Sequence, residues 1–341
     1  MNARYDSAPH DSAGLWLLAW RRLRVDRVAM VALATVAACL LLVLLSGMGL
    51  VADDWEQEVA VNYAPPTFIG ADAAGRALAQ VQLPRATPPN AFDPLAFDLA
   101  ELKAQLAATH PPVEKLTTLP FGADKWGHDI VKKTIKGGET SIVVGLVAAL
   151  LAVTLGTLFG AVSGFYGGWV DDLFNWFYSI FTAIPAILMI LAVAAVLQQK
   201  GVATIVLILG LTGWTGPYRL MRAEYIKHTA REYVMAADAI GASSLRRMFG
   251  HILPNVAHVA LVQLSILTVG FIKAEVILSF LGFGVPVGTV SWGSMLNEAQ
   301  NELILGKWWQ LAAAAGAMAL LVTAFSLFAD ALRDALDPKL K

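Results

Sequence analysis

The chain has 341 residues, 57% hydrophobic and 15% charged, with a net charge of -1 and a mean hydropathy of +0.60. Soluble domains average about 45–50% apolar and about 25% charged residues, so the balance excludes an ordinary soluble domain and predicts several membrane spans. The near-neutral charge argues against a nucleic-acid partner, and a single cysteine, Cys39, excludes an intrachain disulfide.

Residues 1–27 read as a cytoplasmic N-terminal tail, polar and mixed through residue 20 and then carrying Arg21, Arg22, Arg24 and Arg27. Residues 28–52 are uncharged over roughly 25 positions. That is enough to cross a bilayer, and longer than the ~7–15-residue apolar core of a cleaved leader. Residues 53–138 differ in kind, with Pro65-Pro66, Pro84, Pro88-Pro89, Pro94 and Pro111-Pro112 and no apolar run of membrane length. They read as an extracytoplasmic (periplasmic) insertion with one amphipathic helix at Leu95–Ala108. At its end, Lys125, Asp129, Lys132, Lys133 and Lys136 fall on one helical face, which predicts a helix lying at the membrane interface.

Residues 139–330 supply five more spans. The first runs from Thr140 to about Phe165 and ends in a tight turn, Tyr166–Asp172. Leu173–Gln199 follows, with Pro185 as a kink. Val202–Tyr218 bends or ends near Gly216-Pro217. His258–Leu281 is joined by a glycine-rich connection, Gly282–Lys307, to Trp308–Ala329. Residues 331–341 form a cytoplasmic tail. The fold class is therefore an all-α membrane protein with six transmembrane helices and both termini on the cytoplasmic side.

Between the fourth and fifth spans, residues 223–256 are charged. Their apolar residues recur at threes and fours from Tyr225 to Ile240, which predicts a helix that Gly241 stops. Ser243 or Ser244 caps a second helix with the stripe Leu245, Met248, Phe249 and Ile252, and Pro254 closes the unit. Arg219, Arg222, Lys227, Arg231, Arg246 and Arg247 place this loop inside, whereas the loop after the fifth span holds only Lys307. The tether between spans argues against reading the helix–glycine–helix as a DNA reader. A docking piece for a soluble partner remains.

The chain has no G-x-x-x-x-G-K-[ST] phosphate loop, no H-E-x-x-H and no paired cysteines, and its six histidines are scattered. No cofactor or metal site is expected on it, and no nucleophile–base set supports an enzyme. Lys273 and Glu275 lie in the fifth span. An ionisable group at mid-bilayer costs ~2.5–3.5 kcal/mol on insertion scales, so Glu275 is read either as a pathway or gate group or as a structural polar contact. Lys273 is read as snorkelling outward.

AADAIGASSLRRMFGHILPN resembles the cytoplasmic coupling loop of binding-protein-dependent ABC importer permeases, with Ala236, Ala237, Gly241, Leu253 and Pro254 matching. GADKWGHD (122–129), FYGGWVDD (165–172) and AEVILSFLGFGVPVGTVSWGSML (274–296) are similar to the dipeptide/oligopeptide branch, in its variant with a long insertion after the first span. Met235 stands where that family has glutamate, His128 where it has arginine, and Lys273 is unusual for it. Asp238 offers a substitute for the charge missing at Met235.

The resemblance implies an inner-membrane permease subunit forming half of a path for short peptides. Its expected partners are a second homologous permease, two ATPase subunits that bind ATP and Mg2+, a periplasmic substrate-binding protein and the bilayer. It also implies an ATPase-coupling role for Tyr233, Ala236, Ala237, Asp238, Gly241, Leu245, Arg246, Met248, Phe249, Leu253 and Pro254. In that reading Leu245, Met248 and Phe249 are the anchor, and Arg246 and Arg247 the rim. Nickel or another small solute is the alternative cargo within the family. A self-sufficient secondary transporter, the alternative from another class, expects inverted repeats and buried carboxylates near mid-membrane, and the sequence points to neither.

Overall fold

The computed structural model describes residues 15–70, 98–99, 101–102, 115–199, 201–286 and 288–336. The predicted helix at 95–108 and the tail residues 337–341 lie largely or wholly outside the described residues.

The tail is helical from Leu15. α1 (Leu15–Val25) turns at Asp26 into α2 (Arg27–Gly47). The Asp26 carboxylate accepts the Val28 and Ala29 amides at 2.8 and 3.2 Å, an N-cap that the arginine-rich composition around it obscures. Leu23 packs on Ala29, Leu332, Ala335 and Leu336, tying the start of the chain to its last helix.

The predicted interfacial helix and second span are one element, α3 (Ile130–Tyr166), 37 residues long and capped by Asp129. Lys125–His128 form a turn instead of a helix, because Gly127 sits at φ 90° with its Cα against the Ala60 carbonyl, leaving no room for a side chain. α3 is the central post. It touches α2, and also α4 (Gly168–Thr182), α6 (Val202–Thr212), α7 (Thr215–Thr229), α9 (Leu253–Phe280), α10 (Trp292–Ile304) and α11 (Trp309–Leu336).

Four further expectations are revised. The tight turn at 166–172 is only the break at Gly167, and Asp171 already lies in the first turn of α4. Pro185 does more than kink the third span: α4 and α5 (Ala186–Leu197) meet at 83°. The fourth span divides at Gly213 instead of Gly216-Pro217. Pro217 sits in the first turn of α7, where a missing N–H has no helical partner to lose. The glycine-rich connection after α9 contains α10, whose N-cap Ser291 and Ser294 form a reciprocal capping box.

Among the described residues, four helices are long and apolar enough to cross a membrane: α2, α3, the segment Arg246–Phe280, and α11. The bent pair α4–α5 makes a fifth if it is one span. The described parts of the insertion form no strands, only isolated bridges such as Ala60 with Leu116. They close over a small core of Ala60, Val61, Ala64, Leu119 and Ala123.

Candidate functional site

The loop of residues 223–256 is built on α7. The first predicted helix is split: α7 ends at Thr229, the chain extends through Arg231, and α8 (Glu232–Ala239) follows. α8 ends in a Schellman turn. Gly241 at φ 83° donates to the Asp238 carbonyl at 2.8 Å, and Ala242 to that of Ala237 at 2.9 Å. Ser243, of the two serines, then caps the next turn. Its hydroxyl accepts the Arg246 amide at 3.4 Å, and its carbonyl accepts the Arg247 amide.

That turn, Arg246–Ile252, is wound as a π-helix and runs directly into α9. Pro254 therefore does not close the unit. α winding restarts at Leu253, so Pro254 falls in a first turn, and the wide turn before it absorbs the prolyl ring.

The side chains of the loop divide cleanly. Val234, Ala237, Met248 and Ile252 turn inward onto Tyr225, Met221, Val256 and Ala161. Met248 is 1% exposed, and its carbonyl accepts the Tyr225 hydroxyl at 3.1 Å. It is thus a fastener within this chain and unavailable as an anchor for a partner, because the i, i+3 stripe that suggested an outward face turns toward α7 instead. Phe249 and Leu253 are half-buried. The outward apolar set is Tyr233, Ala236, Met235 (55% exposed), Leu245 (62%) and Ile240 (85%), beside Arg246 and Pro254. Asp238 is not a free charge, because it pairs with Arg247 at 2.5 Å. The same guanidinium lies over the Phe165 ring at the end of α3.

α7 in turn is seated on α3 by Gly156, Gly160 and Gly164. A Cβ on any of them would lie 2.6–2.8 Å from α7 backbone atoms at Trp214, Tyr218 or Arg222. Below this ladder, Arg222 grips Asp171 with two 2.5 Å hydrogen bonds, and the Ser163 hydroxyl donates to the same carboxylate. The spacing G-x-x-x-G-x-x-x-G was visible in the sequence and is a signal of close helix packing. The Asp171–Arg222 pair, 51 residues apart, had no such signal.

At the opposite end of α9, Glu275 is fully buried. The Ser279 hydroxyl donates to it at 2.6 Å, and the Ser141 and Ser291 hydroxyls face the same group. The Trp292 amide donates to Ser141 Oγ, so the carboxyl group lies beside the N-terminus of α10, the end that favours negative charge. Glu275 thus stands where α3, α9 and α10 meet, with one oxygen held by Ser279 of its own helix and the other without a hydrogen bond among the described residues. Lys273, on the other face, is exposed and does not meet it.

The GADKWGHD stretch completes this end. Asp124, fully buried, accepts the Trp126 and His128 amides and pairs with Lys133 at 2.7 Å and with the His128 ring at 2.9 Å. Lys133 also pairs with Glu298 at 2.7 Å, and the Trp309 indole donates to the Ala123 carbonyl at 2.7 Å. Burial pulls the Asp124 carboxyl upward. The Lys133 ammonium and the hydrogen bonds outweigh it and hold the group below the usual range.

Glu302, 1% exposed, has neither oxygen hydrogen-bonded among the described residues, and burial pushes its carboxyl up to about 7. The folded chain keeps that proton up to about 7, whereas the unfolded chain releases it near 4.5. Stability from this group is therefore full at acid pH and is lost as pH rises toward and through 7. Glu302→Gln is expected to raise the thermal midpoint by a few degrees at pH 8, a gain on the order of 1–3 kcal/mol, and to change it little at pH 5. An equal shift at both pH values would contradict that assignment. Among the described residues no group of histidine, cysteine and carboxylate side chains could hold a metal ion.

The described residues form a helical bundle with several helices of membrane length, and the charged loop at 223–256 is fastened to that bundle. Residues 156–341 match the family described as binding-protein-dependent transport system inner membrane component, and residues 14–66 match the N-terminal TM domain of oligopeptide transport permease C. The oligopeptide transport system permease protein OppC of Bacillus subtilis is 37% identical over 221 residues, 65% of this chain and 72% of that protein. The dipeptide transport system permease protein DppC of the same organism is 35% identical over 221 residues, 65% and 69% of the two chains. DppC of Lactococcus lactis is 29% identical over 327 residues, 94% and 90%. The chain belongs to the dipeptide/oligopeptide permeases of binding-protein-dependent ABC importers.

Proposed function

We propose that this chain forms half of the translocation path of an ATP-driven importer for short peptides, delivered by a periplasmic binding protein. A second, homologous permease forms the other half, and two ATPase subunits holding Mg2+ and ATP dock on the inner face. Six crossings follow: α2, α3, α4–α5, α6–α7, the π turn with α9, and α11. Both termini then lie in the cytoplasm, and the insertion that follows α2 is periplasmic. The peptide cargo is read from the relatives' own names. Membership of an ABC family disfavours the self-sufficient transporter.

The observation that carries the coupling role is the exposed set Met235, Ile240 and Leu245 on a loop whose other face is locked to α7 and α3. Large apolar side chains at a water-facing turn call for a partner, and a loop welded to the spans moves with them. Arg246 stands at the rim of that face. Met235 fits the same surface without the carboxylate usual in the family, and Tyr233, Ala236 and Pro254 extend it.

Ile240→Glu with Leu245→Glu is expected to leave insertion and folding intact, because both side chains are already in solvent. Hot-spot losses of ~2 kcal/mol or more would weaken association with the ATPase subunits about 30-fold or more. Co-purification of the ATPases and peptide uptake, measured together, check this. Normal values of both would remove the docking role.

A further inference from the structure

We propose that the elbow between α4 and α5 lines the aqueous path of the importer and meets the passing peptide there. This rests on the transport reading above and adds to it a location. α4 buries none of its residues, and every residue from Thr182 to Leu188 is exposed. The elbow lies at the level of the middle of the bundle. Ile190 and Ala194 of α5 pack on Ala148, Ala149 and Ala152, halfway along α3, and on Ile205 and Leu209 of α6.

At this depth the α winding stops after Ala183, and at Pro185 the backbone turns out of helical geometry, φ -54° and ψ 130°. The Leu188 and Met189 amides reach the Pro185 carbonyl, and the Ala183 amide reaches that of Ser179. Among the described residues the amides of Ile184, Ala186 and Ile187 make no hydrogen bond. The nearby hydroxyls are spent elsewhere: Ser179 donates to the Asn175 carbonyl and Thr182 to that of Tyr178. Non-helical backbone at membrane depth persists only where protein covers it or water wets it, since hydrocarbon offers no partner for N–H or C=O. Lipid is therefore excluded from the elbow. Water fits it, and so does a peptide, whose own main chain presents the same donors and acceptors regardless of sequence. Ile184, Ile187 and Leu188 flank these groups with apolar surface.

The lone Cys39 makes the test direct. In a Cys39→Ala background, Ile184→Cys and, separately, Ile187→Cys are placed at the elbow, with Leu150→Cys as an exposed control at similar depth on α3. The assembled transporter in membranes is treated with a charged, membrane-impermeant methanethiosulfonate. The elbow cysteines are expected to react at least tenfold faster than Leu150→Cys, and a saturating mixture of short peptides to slow them. Reaction of both elbow variants no faster than the control, with and without ATP, would overturn the proposal and show a permanent protein cover. Fast reaction that peptides leave unchanged would keep the water-lined elbow but overturn its contact with the passing peptide.

Discussion

Lys133→Met is expected to be the most damaging single substitution at the end of the molecule opposite the 223–256 loop. The ammonium sits between the buried Asp124 and Glu298, with Glu302 beside it. Removing one partner of a buried pair leaves an uncompensated charge and costs about 3–5 kcal/mol. The variant should show a thermal midpoint in detergent lowered by roughly 6–20 °C, at about 2–4 °C for each kcal/mol. Adding Asp124→Asn and Glu298→Gln should return part of the loss, because the stranded carboxylates are then gone. If Lys133→Met melts like the parent, the cluster carries no stability. The same variant should loosen the hold of residues 115–129 on α10 and α11, which limited proteolysis would report.

The second large effect is placed at the α3–α7 contact. In Gly160→Leu the new Cβ would stand 2.8 Å from the Arg222 amide and the Tyr218 carbonyl, both backbone atoms that cannot move aside alone. The helices must separate, and the Asp171–Arg222 grip and the Tyr225–Met248 fastening go with them. Peptide uptake should fall at least tenfold, a ~1.4 kcal/mol effect at minimum, with a matching loss of ATPase co-purification. Gly316→Leu, at a position with no atom within 4 Å of the added carbon, is the control and should behave as the parent. Equal uptake by the two variants would mean that the glycine ladder does not transmit motion.

The spans were legible because apolar runs of membrane length are a one-dimensional signal, and α2, α3, α9 and α11 followed from it. The breaks were not. Pro185 was visible as a kink, but whether a proline bends a helix or ends it depends on what packs beside it, and α4 buries nothing there. The loop shows the same limit. Its glycine turn was readable from Gly241, whereas the inward facing of Met248 was not. A stripe of apolar residues says that one face is covered and leaves open by which molecule. The polar clasps were hidden for a plainer reason: Asp171 with Arg222 and Lys133 with Glu298 join residues 51 and 165 positions apart. Glu275 was legible as an expensive residue, and the serines around it were not.

The π turn changes what Arg246–Phe280 is mechanically. Because the helix does not stop at Pro254, these 35 residues form one rod of about 50 Å. One end adjoins exposed Leu245 and Ile240, and the other carries Glu275 beside the start of α10. In the proposed coupling such a rod acts as a lever, with its closest seat where Gly145 of α3 meets Ile272 and Thr268. A tilt of about 5° displaces one end by roughly 4 Å relative to the other, more than the ~1–2 Å shifts by which packed helices commonly switch. That seat lies nearer the Glu275 end, so the arms are unequal. In the proposed coupling, a long stroke at the loop becomes a short, forceful one around Glu275.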